Sequence, residues 1–300
     1  MGYGCAMSGP LLAVDAPFLL YRSFFGLPES IRGRDGQPVN ALLGAANLLL
    51  RVAAETAPRA VVVCFGAEQA PYRVALHPGY HAQRPPMPPA LAHQWALAPG
   101  LFGALGWQVE DSRELEADDL LGAFARCETR AGGEALILTG DRDLYQCAGD
   151  RTVVLYLRQG SAGFERVDSA EVERRYGVAP ALVPDFIALR GDPSDGLPGA
   201  PGIGAKTAAA LLERHGTLDS LLSAVADGDA GERPRIAAIL REHAPALRAY
   251  QQIATLRPPA VQRPPDATTN LAGGAAAADA LGMGNLAGRL EAAASLADLR

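Results

Sequence analysis

Lysine is almost absent from this sequence, in which 26 arginines stand beside a single lysine, Lys206. The 300 residues carry a net charge of −6, with 49% hydrophobic and 20% charged residues. This composition excludes the disordered and fibrous classes of protein. The negative charge also argues against a positively charged surface, which is the usual footprint of a nonspecific nucleic-acid binder. This argument weakens if the acidic residues are concentrated in a metal site.

Long apolar runs and paired cysteines are missing as well. The run Val61–Phe65 is far shorter than the roughly 20 residues that a membrane helix needs. Residues 1–10 lack a basic segment, and Asp15 interrupts the apolar stretch that follows, so we expect no secretory signal. The cysteines at positions 5, 64, 127 and 147 form no close pair and no zinc spacing. We therefore expect reduced thiols in a cytoplasmic protein without a membrane segment.

The first half of the chain alternates between two kinds of pattern. Five short apolar or β-branched runs predict strands: Leu11–Val14, Ala60–Phe65, Trp107–Val109, Ala135–Thr139 and Thr152–Leu157. Amphipathic stretches of helical period lie between them: Val39–Glu55, Leu91–Leu105 and Glu116–Arg130. This alternation predicts an α/β domain over residues 1–168, with a mostly parallel sheet flanked by helices. Ligands of such a sheet bind at the carboxyl ends of its strands.

The pattern changes after residue 168 to helices joined by Gly/Pro turns, which predicts a small all-helical domain over residues 169–256. The predicted helices are Ser169–Tyr176, Pro180–Leu189, Lys206–Gly216, Leu218–Ala226 and Arg233–Leu256. Residues 257–300 begin with a proline-rich connector and continue as an Ala/Gly-rich segment of weak periodicity. We expect that last part to be a loosely docked tail.

Acidic residues follow several of the predicted strands. Asp15 closes the first strand, and a further group opens the helix at Glu116. The complete set is Asp15, Glu116, Asp118, Asp119, Asp141, Asp143, Asp192 and Asp195. Each group alone has an ordinary explanation as a helix cap or turn residue. Together they would converge on one edge of the sheet, where cations must offset their repulsion.

Oxygen ligands without histidine or cysteine partners indicate Mg²⁺ or Mn²⁺, and so many carboxylates indicate more than one ion. Two such ions about 3.5–4 Å apart are the usual device for hydrolysing a phosphodiester. A phosphodiester is therefore the expected substrate.

Residues 197–207 (LPGAPGIGAKT) form a glycine-rich segment. A nucleotide-binding P-loop is rejected, because Ala205 separates Gly204 from Lys206 and no strand precedes the segment. A helix–hairpin–helix accounts for Gly202, Gly204, Lys206 and Thr207 better, since the backbone N–H groups of the second helix can hold a phosphate. A plain interhelical turn is the alternative.

The ordered motifs from about Leu11 to Leu256 resemble the bacterial 5′→3′ exonuclease and flap endonuclease family, including the 5′-nuclease domain of DNA polymerase I. The motifs include VDAPFLLYRSFFGLP, LEADDLLG, LTGDRDLYQC and ALRGDPSDGLPGAPGIGAKTA. The resemblance implies a metal-dependent DNA nuclease with a PIN-like α/β domain and a helical DNA-binding domain of the H3TH type, often with K⁺ at the hairpin. It also implies a protein that works on flaps, nicks and 5′ ends of DNA as a monomer.

The resemblance also assigns roles to single residues. Asp15, Glu116 and Asp118 match the ligands of a first metal, and Asp141, Asp143 and Asp192 match those of a second. Asp119 and Asp195 match acids that often act through water. Arg22, Arg73 and Arg84 match basic residues that meet DNA phosphates near the scissile bond, and Tyr21 is either a stacking face or a core residue.

Two positions depart from the family pattern. Gly66 stands where the family has an aspartate of the first metal site, and His81 stands where it has a catalytic lysine. If the strand stays extended past Phe65, Glu68 projects on the same face as residue 66 and replaces the missing ligand. If the strand ends there, Glu68 is a solvated loop residue.

Three functions remain open from the sequence. The first is a structure-specific 5′ nuclease of replication and repair. The second is a DNA-binding paralogue weakened in catalysis by Gly66 and His81. The third is an RNA-directed PIN-type nuclease, which would not need the hairpin domain.

Overall fold

The computed structural model describes residues 9–158 and 163–297. Within these ranges the chain forms a six-stranded sheet of β1 (Leu11–Asp15), β2 (Ala60–Cys64), β3 (Gln108–Glu110), β4 (Ala135–Thr139), β5 (Thr152–Tyr156) and β6 (Glu165–Val167). The order is β3-β2-β1-β4-β5-β6, in which the first five strands are parallel and β6 pairs antiparallel with β5. The prediction of a mostly parallel sheet flanked by helices is confirmed.

The central strands are buried because both faces of the sheet are covered. Every residue of β1, β2 and β4 is buried, which explains why their sequences are continuous apolar runs. Side chains alternate between two cores: Leu11 and Ala13 face one, and Leu12 and Val14 face the other. The chain order reverses at β1, between β2 and β4, and this is where an open α/β sheet forms its ligand crevice.

Helices cover the two faces of the sheet. Within the described residues they are α1 (Ala16–Gly26), α2 (Asn40–Thr56), α3 (Pro71–Leu76), α4 (Pro89–Ala104), α5 (Ala117–Arg130), α6 (Ser169–Tyr176), α7 (Val183–Arg190), α8 (Ala205–His215), α9 (Leu218–Asp227), α10 (Pro234–Ala254), α11 (Leu271–Ala280) and α12 (Gly284–Ala297). The core on one face includes residues of α1, α2, α4, α11 and α12. The core on the other face includes residues of α5 and of α6 to α10.

Several elements have no counterpart in the sequence-based prediction: α1, α3, α11, α12 and β6. Helix α1 starts directly after β1, because Asp15 ends the strand and its carboxylate also caps the helix by accepting from the N–H of Phe18 at 2.9 Å. The sequence of α1 is apolar on most sides, so it shows little helical period. Strand β6 has only three residues, and a run that short gives no clear alternation.

The expectation of a loosely docked C-terminal tail is wrong. Ala275, Met283 and Leu286 belong to a hydrophobic core, and a Cβ added to Gly274 would lie 2.2 Å from Leu105. The weak periodicity reflects small residues, which let α11 approach the end of α4 closely. The predicted domain limits at residues 168 and 256 stay predictions.

No helix in the described parts of the chain is long and apolar enough to cross a membrane. Cys5 lies outside the described residues, and Cys64, Cys127 and Cys147 are unpaired thiols.

Candidate active site

The carboxylate of Asp15 sits at the centre of the sheet, at the carboxyl end of β1. Besides capping α1, it accepts a hydrogen bond of 2.6 Å from the hydroxyl of Thr139, the last residue of β4. Burial raises the pKa of Asp15, and the hydrogen bonds from Thr139 and Phe18 work in the opposite direction. Two neighbouring strands therefore fix this carboxylate.

The first turn of α5 carries the next acidic group. Glu116 caps the helix in a capping box with Asp119, and Asp118 lies between them. The guanidinium of Arg73, only 3% exposed, donates to Glu116 at 2.6 Å and to Asp119 at 3.3 Å. Asp119 also accepts from the N–H of Arg257 at 2.7 Å. Asp119 and Arg73 are thus buried beneath the site, where their hydrogen bonds support Glu116.

Asp141 and Asp143 occupy the turn after β4. The N–H of Asp141 donates to the Thr139 hydroxyl at 3.0 Å, and the N–H of Asp143 donates to the Asp141 carboxylate at 2.8 Å. A short 3-10 helix, Asp143–Cys147, begins at the second of these residues. The turn therefore aims Asp141 past the end of the strand and buries Asp143.

The last acidic pair comes from the turn after α7. Asp192 accepts from Arg190 at 3.4 Å and from the N–H of Ser194 at 2.9 Å. Asp195 accepts from His81 at 3.1 Å and from Arg84 at 3.0 Å. Burial raises the pKa of Asp195, but these cationic partners outweigh that effect and hold it below its ordinary value.

One cavity of about 930 Å³ joins most of these side chains. Its acidic lining residues are Asp15, Glu68, Glu116, Asp118, Asp141, Asp192 and Asp195. His81 and Arg84 line it as well, with Arg142 and Arg190. Arg22, Arg73, Asp119 and Asp143 are outside this lining, and Arg22 donates to the backbone oxygen of Arg158 at 2.7 Å. An apolar part of the wall includes Phe18, Tyr21, Phe25 and Trp95.

Two of the carboxylates, Asp118 and Asp143, experience repulsion that their cationic neighbours do not offset. Burial raises the pKa of Asp118 well above its ordinary value, and repulsion from Asp141 and Asp15 adds to this effect. Burial and repulsion by Asp141 likewise raise the pKa of Asp143. Carboxylates held together at such a cost are typical of a functional site that binds cations.

The donor set suits Mg²⁺ or Mn²⁺, because it consists of carboxylate oxygens from four chain segments around one cavity. As they stand, no three His, Cys, Asp or Glu side chains in the described residues form a group that could hold a metal ion. The chemistry of the residues fits divalent ions.

His81 lies in the loop after α3, and its side chain is bonded to two other segments instead of extending into the cavity. It is 4% exposed, has a positive φ of 54° and stacks on the Tyr80 ring. Its Nε2 faces Asp195, and its Nδ1 faces the backbone oxygen of Glu68 at 3.2 Å. Both partners are hydrogen-bond acceptors, so the ring is held from two sides. This arrangement makes His81 a positioning residue for Asp195.

Gly66 packs against the chain that leads into α5. A Cβ at this position would lie 2.5 Å from the N atom of Ala117 and 2.6 Å from the carbonyl carbon of Glu116. On this backbone any side chain at position 66 would require the main chain at Glu116 and Ala117 to shift. Glu68 is an exposed side chain that lines the cavity, and the strand has already ended at Cys64.

The glycine-rich segment joins α7 to α8 as a hairpin. Gly202 has a φ of 77°, which requires glycine, and Gly204 caps α8 without a side-chain hydrogen bond. Lys206 and Thr207 lie in the first turn of α8, and Lys206 is exposed. The helix N-terminus thus presents backbone N–H groups and one ammonium group at the surface.

Three supporting residues were missing from the sequence-based site. They are Thr139, Tyr80, whose hydroxyl donates to Glu116 at 2.9 Å, and Arg190. The motif LTGD held the signal for Thr139, because a hydroxyl at a strand end can brace the carboxylate of the neighbouring strand. No local pattern indicated Tyr80 or Arg190.

Carboxylates at the carboxyl edge of a mostly parallel sheet, followed by a helical hairpin, define a nuclease of the PIN-like class. Residues 10–177 match the model of the 5′-3′ exonuclease N-terminal resolvase-like domain, and residues 178–268 match the 5′-3′ exonuclease C-terminal SAM fold. The chain therefore belongs to the 5′-3′ exonuclease family and is a nuclease.

Similar proteins agree with this family. A "5′-3′ exonuclease" of Mycobacterium tuberculosis is 39% identical over 241 residues, which are 74% of this chain and 75% of that protein. A "DNA polymerase I" of the same organism is 36% identical over 77% of this chain, which corresponds to only 26% of the polymerase.

Two solved structures share the fold. The T5 5′-exonuclease with bound divalent metal ions (zinc) has a TM-score of 0.66 at 15% identity, covering 94% of this chain and 96% of that one. The catalytic core of Rad2 in complex with DNA substrate has a TM-score of 0.61 at 14% identity, covering 95% and 93%.

Proposed function

We propose that this protein hydrolyses DNA phosphodiesters at 5′ flaps, nicks and 5′ ends in replication and repair, using two divalent metal ions. The observation that carries the proposal is the convergence of acidic residues from four chain segments on one cavity, in a chain that also has a helical hairpin. The T5 structure with bound divalent metal ions and the Rad2 structure with bound DNA substrate support it.

Each of two groups of acids would bind one metal ion. Asp15, Glu116 and Asp118 would hold one ion, and Asp141, Asp143 and Asp192 the other, with Asp119 and Asp195 supporting them. When bound, two Mg²⁺ or Mn²⁺ ions supply a hydroxide at neutral pH and stabilise the charged transition state. Thr139, Arg73 and His81 hold these carboxylates in place through the hydrogen bonds described above.

Other residues bind and orient the substrate. Arg84 and Arg190 bring positive charge to the cavity lining, where they can meet phosphates beside the scissile bond. Arg22 lies on α1 outside this lining, and its phosphate contact is proposed on the strength of the family resemblance. The hairpin around Gly202, Gly204, Lys206 and Thr207 grips the backbone without reading sequence. A K⁺ ion at this hairpin is part of the proposal, on the strength of the family resemblance.

The proposal extends to a monomeric protein of the cytoplasm that has DNA as its partner. The unpaired thiols of Cys64 and Cys147 suit a reducing compartment. Burial raises the pKa of Cys147 to about 12, so this thiol is a packing group and not a nucleophile.

A catalytically weakened DNA-binding paralogue is the second candidate, favoured by two observations. The position of Gly66 has no room for the family aspartate, and His81 is held by Asp195. The retained acids favour an active enzyme, since DNA binding alone needs none of them.

Replacing Asp141 separates these possibilities. We expect Asp141→Ala to slow cleavage at least about 10²-fold while DNA binding persists, because it removes a metal-positioning charge and no backbone contact. The measurement is the single-turnover rate on labelled flap, nick, single-strand and RNA substrates with Mg²⁺, Mn²⁺ or EDTA, beside binding by fluorescence anisotropy.

Asp150→Ala is the matched control, because Asp150 is exposed and precedes β5 at the opposite edge of the sheet. Equal rates for the two variants would contradict the metal assignment. Binding without cleavage by the wild-type protein with either metal would favour the weakened paralogue.

A further inference from the structure

A second groove, outside the acidic cavity, lies beside β5, β6 and α6. It has a volume of about 550 Å³. Its charged lining residues are Arg142, Arg158, Arg174, Arg175, Glu165 and Glu171. Four arginines against two glutamates leave an excess of two positive charges, in contrast to the neighbouring cavity.

The two openings meet at Arg142, which lines both of them. Arg142 follows Asp141, one of the acids of the cavity, and it is exposed. Its Nε donates to the Tyr156 hydroxyl at 3.2 Å, and no described acidic residue pairs with it. A strand whose scissile phosphate lies among the acids would therefore have its next phosphates close to Arg142.

The remaining arginines are held in fixed positions. Arg175 donates to Glu165 at 2.7 Å and to the Tyr145 hydroxyl at 2.9 Å. Arg174 pairs with Glu171 at 2.6 Å, yet its side chain is 72% exposed. Anchored guanidinium groups lose less entropy when they bind a phosphate, and their planar donors match its oxygens.

The aromatic rings of the groove are engaged within the protein, since the partly buried Tyr176 stacks on Phe186 with ring centroids 4.8 Å apart. Tyr145 is fully buried and Tyr156 is 9% exposed, so their rings form the floor under the arginines. The Arg175 guanidinium lies 5.7 Å from the centroid of the Tyr145 ring. A groove of this kind recognises backbone charge and not base identity.

We propose that this groove binds the phosphodiester backbone of the DNA substrate next to the scissile phosphate. The inference rests on the proposed nuclease function and adds a binding site to it. The backbone could belong to a 5′ flap or to the duplex, and both present the same phosphates.

The test compares two double variants of equal charge. Arg142→Gln/Arg174→Gln removes two exposed groove arginines, and Arg130→Gln/Arg151→Gln removes two exposed arginines from the opposite edge of the sheet. Binding to flapped and flapless duplexes is measured by anisotropy in EDTA across a salt titration, with circular dichroism as a check of folding.

We expect the groove variant to bind more weakly, with a log–log salt slope shallower by about 1.4–1.8 for two lost phosphate contacts. A change confined to the flapped substrate would assign the groove to the flap, and a change on both substrates would assign it to the duplex. A neutral methylphosphonate beside the scissile phosphate should weaken wild-type binding but leave the groove variant nearly unaffected.

Equal salt slopes for the two double variants on both substrates, with normal wild-type cleavage, would overturn the groove proposal alone. Absent DNA binding and cleavage by the wild-type protein would overturn the proposed function as well.

Discussion

His81 and Gly66 are the two positions that depart from the family pattern, and each is fixed by its local packing. His81 bonds Asp195 and the backbone of Glu68, so it ties the loop after α3 to the turn after α7. The N–H of His81 also donates to the Asp195 backbone oxygen at 3.1 Å, and His77 contacts the oxygen of Gly196 at 3.2 Å. A compact imidazole suits this crowded joint, whereas a lysine would bring a long flexible stem.

For Gly66 the geometry predicts a steric effect. Gly66→Asp and Gly66→Ala should both lower the free energy of unfolding by about 1–3 kcal/mol, because any Cβ meets the backbone at Glu116 and Ala117. Both should also slow cleavage by shifting Glu116 and Asp118. Urea unfolding and Mg²⁺ titrations of the cleavage rate measure the two effects.

Gly100→Ala is the control for this pair, since a Cβ at Gly100 meets nothing within 4 Å. If Gly66→Asp lowered the Mg²⁺ requirement while Gly66→Ala was neutral, the loop would be able to accept the family ligand.

At the residue scale, the sequence could predict that acids from several segments approach one edge of the sheet, but not that Asp119 and Asp143 lie outside the cavity lining. Strand ends placed Asp15 and Asp141 at one edge, because parallel strands end together. The burial of Arg73 and Asp119 depends on α3 and on the chain near Arg257, which are distant in sequence. Such contacts leave no local pattern.

At the scale of elements, the proline-rich connector is held by a buried ion pair. Glu128 of α5 is 1% exposed and accepts from Arg59 and from Arg263. Arg59 also donates to the backbone oxygen of Pro264 at 2.8 Å and to Asp266 at 2.9 Å. These bonds lead the chain to α11 and α12, which pack on the core beside α4.

Breaking this pair should be costly and pH-dependent. Glu128→Gln should lower the free energy of unfolding by about 3 kcal/mol at pH 7, because it removes the counter-charge of Arg263 and leaves the buried Arg59 with only the exposed Asp266. Burial raises the pKa of Glu128, but the hydrogen bonds from Arg59 and Arg263 prevail and hold it below the ordinary 4.5. The stabilisation is therefore complete above about 4.5 and is lost as the pH falls through the lower, folded-state pKa.

Urea unfolding from pH 7 to below the folded-state pKa of Glu128 tests this expectation. The gap between wild type and Glu128→Gln should narrow toward the acid end. Asp266→Asn is the matched control, because its carboxylate pairs with the same Arg59 but is 66% exposed. That change should cost at most about 1 kcal/mol. A constant gap at every pH would show that Glu128 acts through packing alone.

Five strands could be predicted because they are short apolar or β-branched runs. Most helices could be predicted because their apolar residues recur with the helical period. The docking of α11 could not, because Gly273 and Gly274 contribute close approach and little hydrophobic bulk. The period of apolar residues predicts which face of a helix is buried. The close packing of small residues depends instead on the shape of the surface against which they pack.

At the scale of the whole molecule, charge is unevenly distributed. The net charge of −6 includes the seven acids that line the cavity, while four arginines line the neighbouring groove and Lys206 lies exposed at the hairpin. Negative total charge is therefore compatible with DNA binding, because phosphates interact with local potential within a Debye length of about 10 Å at 0.1 M salt.

The hairpin offers the sharpest test of this distribution. Lys206→Ala should weaken duplex binding and make the log–log salt slope shallower by about 0.9, because one phosphate contact is lost while the backbone N–H groups of α8 remain. The fold should stay intact, since Lys206 is exposed and the turn depends on Gly202. Lys206→Arg keeps the charge and should retain most of the salt dependence, and Gly202→Ala should impair binding by straining a backbone with a φ of 77°. Anisotropy titrations from 50 to 200 mM salt compare the four proteins, and an unchanged slope for Lys206→Ala would return the hairpin to a purely structural role.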